Sequence, residues 1–185
     1  MTLYKHKYRI ESARCPGWDY SSNGLYFVTI CTSDRRCCLG DVVVGKMQLS
    51  PIGETVQKFW YEIPGRFSNV ELDQFVVMPN HIHGIIMINP AIVNPLSRRD
   101  AINRVSTKRG GVTGENNPML STHALSKIVR WYKGRCKFEI GSTAPEFAWQ
   151  SRFHDHIIRD DLKLNQIRTY ILNNPENWQA DCFHQ

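Results

Sequence analysis

The chain has 185 residues, of which 42% are apolar and 22% are charged, and its formal net charge at pH 7 is +6. This length suits one domain with a hydrophobic core, and no apolar stretch approaches the roughly 18 residues that a membrane-spanning helix needs. The excess of positive charge favours a polyanionic partner, nucleic acid first, although many small basic proteins bind nothing in particular.

The N-terminal region and the cysteines favour an intracellular protein. Residues 1–21 are polar and basic and contain no apolar signal-peptide core. The six cysteines form no CxxC pair, which favours reduced thiols over zinc ligands or disulfides. We therefore expect a cytoplasmic location and no association with a membrane.

The first predicted elements are a strand and a helix. Residues 24–32 are β-branched and aromatic, which is typical of a buried strand. Ser50 and Pro51 suit the N-cap and the first position of a helix that should end at Pro64-Gly65. The apolar residues of this helix recur on one face, at Ile52, Val56, Phe59, Trp60 and Ile63.

Two strands and a long loop follow. Residues 69–78 and 81–88 each predict a strand, and only Pro79-Asn80 separates them, which suits a tight hairpin turn. The segment from about 89 to 120 has no periodicity and is rich in arginine and glycine. We expect it to form a long basic loop within a single domain that spans residues 1–185.

The second predicted helix, at about residues 121–137, combines an apolar stripe with strong positive charge. Its basic side chains can follow the phosphate backbone of a nucleic acid, and the candidates for this contact are Lys127, Arg130 and Lys133. The alternative is that these residues form an ordinary solvated helix face.

The last predicted elements are an extended segment at residues 146–158 and a helix from Asp161 to about Asn174, which Pro175 stops. The order β-α-β-β-α-β, followed by a helix, is a ferredoxin-like pattern. We therefore expect an α+β fold, in which an antiparallel sheet carries helices on one face and a further helix ends the chain.

Two histidines interrupt an apolar strand in the sequence VVMPNHIHGIIMI. Residues two apart in a strand point to the same side, so His81 and His83 should project together while Ile82 faces away. Two such imidazoles can hold one metal ion, although hydrogen-bonded structural histidines are the alternative. Metal hydrolases of the (β/α)₈ class also use this pattern, but their barrel needs roughly 250 residues.

The last helix offers a nucleophile and a third ligand. Tyr170 and Asn174 are four residues apart, so they share one helical face. The amide oxygen of Asn174 can complete a His-His-Asn metal site, with Tyr170 one turn away. The alternatives are that Tyr170 only packs, and that Asn174 with Pro175 only ends the helix.

Three motifs, VVMPNHIHGII, WQSRFHDHIIRD and YILNNP, resemble in this order the REP-associated tyrosine transposases, which belong to the HUH single-tyrosine superfamily. The resemblance spans about residues 26–175 and implies cleavage and rejoining of single-stranded DNA at hairpin-containing sequences. It implies that His81 and His83 bind Mg²⁺ or Mn²⁺ and that Tyr170 forms a 5′-phosphotyrosine. Asn174 matches the third ligand, which in insertion-sequence members is usually glutamine, one methylene longer.

Three alternatives remain open. A second HxH motif at His154 and His156 is an internal rival for the metal site, but we expect these residues to support the site by hydrogen bonding. A catalytically silent DNA-binding protein and a metal-dependent hydrolase that uses water are rival functions, of which the intact set of two histidines and Tyr170 argues against the first. The related transposases include monomers and homodimers, and the sequence allows either.

Overall fold

The computed structural model of the protein describes residues 23–89, 125–180 and Phe183. Apart from Asn89, the predicted basic loop at about 89–120 lies outside these residues. The predicted beginning of the second helix, at residues 121–124, lies outside them as well. The extent of the domain over residues 1–185 therefore stays a prediction.

A four-stranded antiparallel sheet forms the centre of the fold. Its strands are β1 (Gly24–Cys31), β4 (Val70–Val77), β5 (His81–Ile88) and β6 (His154–Ile158), and they lie in the order β4-β5-β1-β6. A separate hairpin, formed by β2 (Gly40–Val43) and β3 (Lys46–Leu49), precedes the first long helix. The sequence analysis did not predict this hairpin, whose strands are short and largely exposed.

The helices begin where their capping residues predict, but the end of the first helix differs. Helix α1 (Pro51–Tyr61) has Ser50 as its N-cap, and the Ser50 hydroxyl accepts a hydrogen bond from the Gly53 amide at 3.1 Å. The predicted end at Pro64-Gly65 is wrong, because these residues lie inside a separate one-turn helix, α2 (Ile63–Arg66). Proline is compatible with the first turn of a helix, so it begins α2 rather than stopping α1.

Two further helices complete the fold, α3 (Leu125–Ile140) and α4 (Asp161–Asn173). Helices α1 and α3 cover one face of the sheet, as expected, where they pack against Val28 of β1 and Ile82 and Ile86 of β5. Helix α4 covers the other face, where Leu164, Ile167 and Ile171 pack against Ile85 and Ile158. We call this second face the site face, because His81 and His83 project from it. The α+β architecture is therefore the expected one.

Two observations bear on the class of protein. Within the described residues, no helix is long and apolar enough to cross a membrane. The four cysteines in the described part of the chain, Cys31, Cys37, Cys38 and Cys136, form no disulfide with one another. A cytoplasmic location stays a prediction.

At Gly84, the Trp60 side chain of α1 packs directly against the central strand β5. A Cβ atom at this position would lie 2.3 Å from Cζ2 of Trp60. The Trp60 side chain is fully buried, and its ring stacks on Phe75 with 4.5 Å between centroids. The glycine that follows the two histidines therefore has a packing role, since it lets Trp60 lie directly beneath the strand that carries them.

We expect Gly84→Ala to lower the free energy of unfolding by about 1–3 kcal/mol, because the added methyl group overpacks the core against Trp60. Urea denaturation measures this loss. Gly134→Ala on α3 is the matched control, since a Cβ there meets nothing within 4 Å. The control should stabilise the protein by about 0.5–1 kcal/mol, and a Gly84→Ala protein as stable as wild type would contradict the close packing.

Candidate active site

The imidazoles of His81 and His83 converge at the beginning of β5. Their Nε2 atoms are 3.0 Å apart, and the two side chains are 0% and 1% exposed, respectively. The alternation of the strand brings them to one side, and pairing with β1 and β4 holds their backbone on both edges. The rigid strand therefore places the Nε2 atoms of both histidines close enough to contact one ligand atom.

The other ring nitrogen of His81 is held by Asn80. Its Nδ1 lies 2.8 Å from Asn80 Oδ1. The orientation of the Asn80 amide follows from its Nδ2, which donates to the carbonyl oxygens of Arg35 and Phe183 at 3.2 and 2.8 Å. Because an amide oxygen only accepts, His81 carries a proton on Nδ1, and in the neutral ring Nε2 has a free lone pair.

Thr29 contacts the corresponding ring nitrogen of His83. Its Oγ1 lies 2.8 Å from His83 Nδ1, and Thr29 is the residue of β1 that pairs with His83 across the sheet. When this hydroxyl accepts from Nδ1, the Nε2 lone pairs of both histidines point into the same gap. Facing lone pairs repel each other, and a cation or a shared proton removes this repulsion.

Asn174, the predicted third ligand, carries a buried acceptor at the end of α4. It is the C-cap of α4, it is 3% exposed, and its Oδ1 is buried without a hydrogen-bond partner in the described part of the chain. An unsatisfied buried acceptor costs about 1–3 kcal/mol, which a positively charged partner would offset. Two imidazole nitrogens and an amide oxygen suit Mn²⁺, or Mg²⁺ when phosphate oxygens complete its shell.

The spacing of the two histidines also fits a small octahedral ion. Adjacent ligands with bonds of about 2.1 Å lie about 3 Å apart, which is close to the 3.0 Å between the two Nε2 atoms. Among the described residues, no group of three or more His, Cys, Asp and Glu side chains can hold a metal. A metal at the histidine pair would therefore need further ligands of another kind, and Asn174 as the third ligand stays a prediction.

Tyr170 reaches this histidine pair from α4. Its hydroxyl lies 3.2 Å from His83 Nε2, and its side chain is 45% exposed. The half-buried ring of Phe27 stacks on His83 at 5.2 Å and meets the Tyr170 ring edge-on at 6.1 Å. The structure thus brings together His81, His83 and Tyr170 within one chain, with the hydroxyl directed at the histidines and the ring partly open to solvent.

Aromatic side chains close the other side of the histidine pair. The Phe183 ring lies 4.6 Å from the His81 ring, and Trp178 lies 6.0 Å from it. The Arg35 guanidinium lies 5.1 Å from the centroid of Phe183. This burial lowers the pKa of His83 well below its usual range, and the charge of the neighbouring His81 lowers it further.

The second HxH motif lies on the same face, across β1 from the histidine pair. In β6, His154 pairs with Thr29 and His156 pairs with Phe27, so both histidines project from the site face, and both are exposed. Thr29 therefore stands between His83 and His154. The motif therefore lies beside the histidine pair on the site face, and both its supporting role and its role as a rival metal site stay predictions.

The basic residues of α3 lie away from the histidines. Helix α3 packs on the opposite face of the sheet. Lys127 and Arg130 are exposed there. Lys133 differs, because its Nζ donates to the Gln150 carbonyl at 2.5 Å and to the Ser151 carbonyl at 3.3 Å, and burial lowers its pKa. Lys133 thus ties α3 to the segment before β6, whereas Lys127 and Arg130 remain available to a ligand.

The sequence analysis missed three residues that shape the site, namely Phe27, Thr29 and Asn80. Asn80 was interpreted only as part of a turn, yet its side chain is completely buried and holds His81. Its position directly before the two histidines was an available signal. Phe27 and Thr29 gave no comparable signal, because only the register between β1 and β5 places them beside His83.

Comparison with known proteins gives one clear relative. No protein-family model matches the chain. It is 33% identical over 172 residues to an uncharacterized protein of Haemophilus influenzae, and the alignment covers 92% of this chain and 91% of the relative. Identity of this extent over nearly the whole length of both proteins shows common descent.

Solved structures show where the fold occurs. The structure of a REP-associated tyrosine transposase bound to a REP hairpin matches with a TM-score of 0.55 and 19% identity, over 93% of this chain and 73% of that one. A candidate transposase from Deinococcus radiodurans matches with a TM-score of 0.47 and 16% identity, over 86% and 97% of the two chains. The first likeness establishes a shared fold.

We expect Thr29→Val to lower the affinity for Mn²⁺ by about 10-fold or more, because the partner that orients His83 is lost while the shape of the side chain is kept. Isothermal titration calorimetry measures this affinity. Thr55→Val is the matched control, since the Thr55 hydroxyl donates a solvent-exposed hydrogen bond to the Pro51 carbonyl within α1. Equal Mn²⁺ affinity in wild type, Thr29→Val and His81→Ala would contradict a metal site here.

Proposed function

We propose a function for this chain, which belongs to the same protein family as the uncharacterized Haemophilus influenzae protein. In this proposal, this chain is a transposase-like enzyme that cleaves and rejoins single-stranded DNA at hairpin-containing sequences through a 5′-phosphotyrosine. The observation that carries this proposal is the Tyr170 hydroxyl, 3.2 Å from the Nε2 of His83, which in turn lies 3.0 Å from the Nε2 of His81. The fold shared with a hairpin-bound REP-associated tyrosine transposase supports it.

In the proposed reaction, Tyr170 is the nucleophile. Its phenolic oxygen forms a bond to the phosphorus while the bond from phosphorus to the 3′-oxygen breaks, and the phenol proton is lost as the 3′-hydroxyl is formed. Attack by another 3′-hydroxyl on the phosphotyrosine reverses these bond changes and joins two strands. No nucleotide cofactor is needed, since the phosphotyrosine conserves the bond energy.

A Mg²⁺ or Mn²⁺ ion bound by His81, His83 and Asn174 would supply stabilisation of the charge that develops on the phosphate oxygens. The chain itself contributes positioning. Thr29 and Asn80 orient the two imidazoles, and Phe27 packs against both His83 and Tyr170. The nucleophile and the ligands are thus held on one rigid strand and one packed helix, as this chemistry requires.

Access to the histidines needs a local rearrangement. His81 is 0% exposed, and Phe183 lies 4.6 Å from its ring. In this proposal a scissile phosphate reaches the two Nε2 atoms after a local movement, for which the Phe183 ring is a candidate. The part of the site that is already open is Tyr170, which is 45% exposed.

Substrate binding involves a different surface in this proposal. Lys127 and Arg130 are exposed on α3, and the sheet separates them from Tyr170. They would therefore contact a part of the DNA away from the scissile phosphate. Such contacts raise affinity without taking part in the chemistry.

We expect Tyr170→Phe to abolish both the covalent protein–DNA adduct and strand cleavage, because the substitution removes only the nucleophilic oxygen. Labelled single-stranded hairpin DNA, incubated with the protein and Mn²⁺, reports both products on a denaturing gel. Tyr61→Phe is the control, since Tyr61 is also exposed, at 60%, and lies on the opposite side of the sheet. This control should keep full activity.

The same experiment separates the rival functions. Cleavage that persists in Tyr170→Phe without an adduct would identify a hydrolase that uses water. Binding without either product in the wild-type protein would identify a catalytically silent DNA-binding protein. Tyr132 is a poor substitute nucleophile, because it is completely buried and burial raises its pKa well above the usual range.

We expect Lys127→Glu combined with Arg130→Glu to weaken DNA binding and to reduce its salt dependence, because each basic residue that contacts a phosphate displaces counterions. The adduct rate at saturating DNA should stay within about twofold of wild type, since phosphate contacts position the DNA and lie outside the chemistry. Fluorescence anisotropy at several salt concentrations measures the affinity. An unchanged salt slope would show that α3 does not face the DNA.

A further inference from the structure

Apolar packing alone leaves the position of Tyr170 underdetermined. Helix α4 rests on the sheet through Leu164, Ile167 and Ile171, which contact the aliphatic side chains of Ile85 and Ile158. Aliphatic contacts have no preferred direction, so they resist separation of the helix better than they resist its rotation about its own axis. A rotation of about 10° moves an atom at the side-chain radius of about 6 Å by about 1 Å.

A directional contact holds α4 at the edge of the sheet formed by β4. Arg168 of α4 donates from Nε to both carboxylate oxygens of Asp73, at 3.0 and 3.1 Å, and from Nη2 to Oδ2 at 2.5 Å. Its Nη1 donates to Asn165 Oδ1 one turn earlier, at 3.2 Å. The guanidinium is planar and its donors are fixed relative to one another, so a paired arrangement of this kind defines an orientation as well as a distance.

The position of Asp73 depends on an irregularity in β4. Leu72 pairs with Ile86 and Phe75 pairs with Gly84, so two residues of β4, Asp73 and Gln74, lie opposite one residue of β5. Such a bulge redirects a side chain that a regular strand would point elsewhere. It lets Phe75 remain stacked on Trp60 while the Asp73 carboxylate meets Arg168.

The carboxylate is also held by its own strand. Asp73 Oδ1 accepts a hydrogen bond from the Gln74 amide at 2.6 Å, and the side chain is only 13% exposed. The hydrogen bond from Arg168 lowers the pKa of Asp73 below its usual value, which keeps the carboxylate charged. The acceptor is thus held by its own backbone as well as by the guanidinium.

Arg168 and Tyr170 are two residues apart, so their side chains leave α4 about 200° from each other around the helix axis. A rotation that withdraws Arg168 from Asp73 must therefore also swing the Tyr170 hydroxyl relative to His83. We propose that the Arg168–Asp73 ion pair is a positioning pair that sets the rotation of α4 and so holds the Tyr170 hydroxyl at the histidine pair. This inference rests on the proposed function, in which that hydroxyl is the nucleophile.

The test uses Arg168→Lys, which keeps the charge and removes the planar fork, and Asp73→Asn, which keeps the shape and removes the charge. The adduct rate at saturating hairpin DNA should fall about 10- to 100-fold in each, because a displacement of about 1 Å can cost this much. The dissociation constant for DNA should stay within about twofold, since phosphate contacts elsewhere dominate affinity. The double variant should be no slower than either single variant, because the two residues act as one unit.

Glu139→Gln is the matched control. It breaks another pair between an arginine and a carboxylate, Arg135–Glu139 on α3, at 3.5 Å, in which the arginine side chain has the same exposed fraction of 39% as Arg168. This control should leave the adduct rate unchanged. An Arg168→Lys protein that is folded by thermal melting and reacts at the wild-type rate would overturn the proposal.

A measurement without DNA separates this proposal from the proposed function. In protein with ¹³C-labelled aromatic residues, nuclear Overhauser effects between the Tyr170 ring and the rings of His83 and Phe27 report the position of the hydroxyl. These effects should be present in wild type and weak or absent in folded Arg168→Lys. If wild type forms no adduct, but the effects are present in wild type and lost in folded Arg168→Lys, the proposed function is refuted and the positioning pair is supported. Effects that persist in folded Arg168→Lys would refute the positioning pair.

Discussion

The pairing of β5 between β1 and β4 is the constraint on which the rest of the structure depends. Because β5 is bonded on both edges, the alternation of its side chains divides the molecule into two sides. Ile82 and Ile86 face α1 and α3, while His81 and His83 face α4. Gly84 lets Trp60 pack directly beneath this strand, so the hydrophobic core and the candidate site share one rigid element.

The candidate site combines the histidines of β5 with side chains that are far from them in the sequence. Thr29 of β1 and Tyr170 of α4 are separated from His83 by 54 and 87 residues, and both reach its ring nitrogens. Asn174 supplies a buried oxygen without a partner in the described part of the chain. The site therefore forms only when the sheet and α4 are in place, which links the proposed chemistry to the stability of the whole fold.

The fold, the relative and the geometry contribute separately to the proposed function. The relative in Haemophilus influenzae establishes the protein family, and the likeness to a REP-associated tyrosine transposase establishes the fold. The assignment of Tyr170 and the histidine pair rests on their convergence in this structure. The basic surface of α3 lies on the opposite face, so the proposed chemistry and DNA binding occupy different sides of the sheet.

Local patterns in the sequence determined the four strands of the central sheet, the beginning of α1, the extent of α4 and the common direction of His81 and His83, because alternation and capping depend on near neighbours. The motifs also singled out Tyr170 and Asn174. Only the tertiary structure decided that Thr29 and Asn80 orient the imidazoles, that Lys133 is bonded to Gln150 and Ser151, and that Arg168 reaches Asp73. The contact between Asn80 and His81 joins neighbours in the sequence, but the other contacts join segments that are distant in the chain. Strand register, a bulge and helix packing bring those segments together.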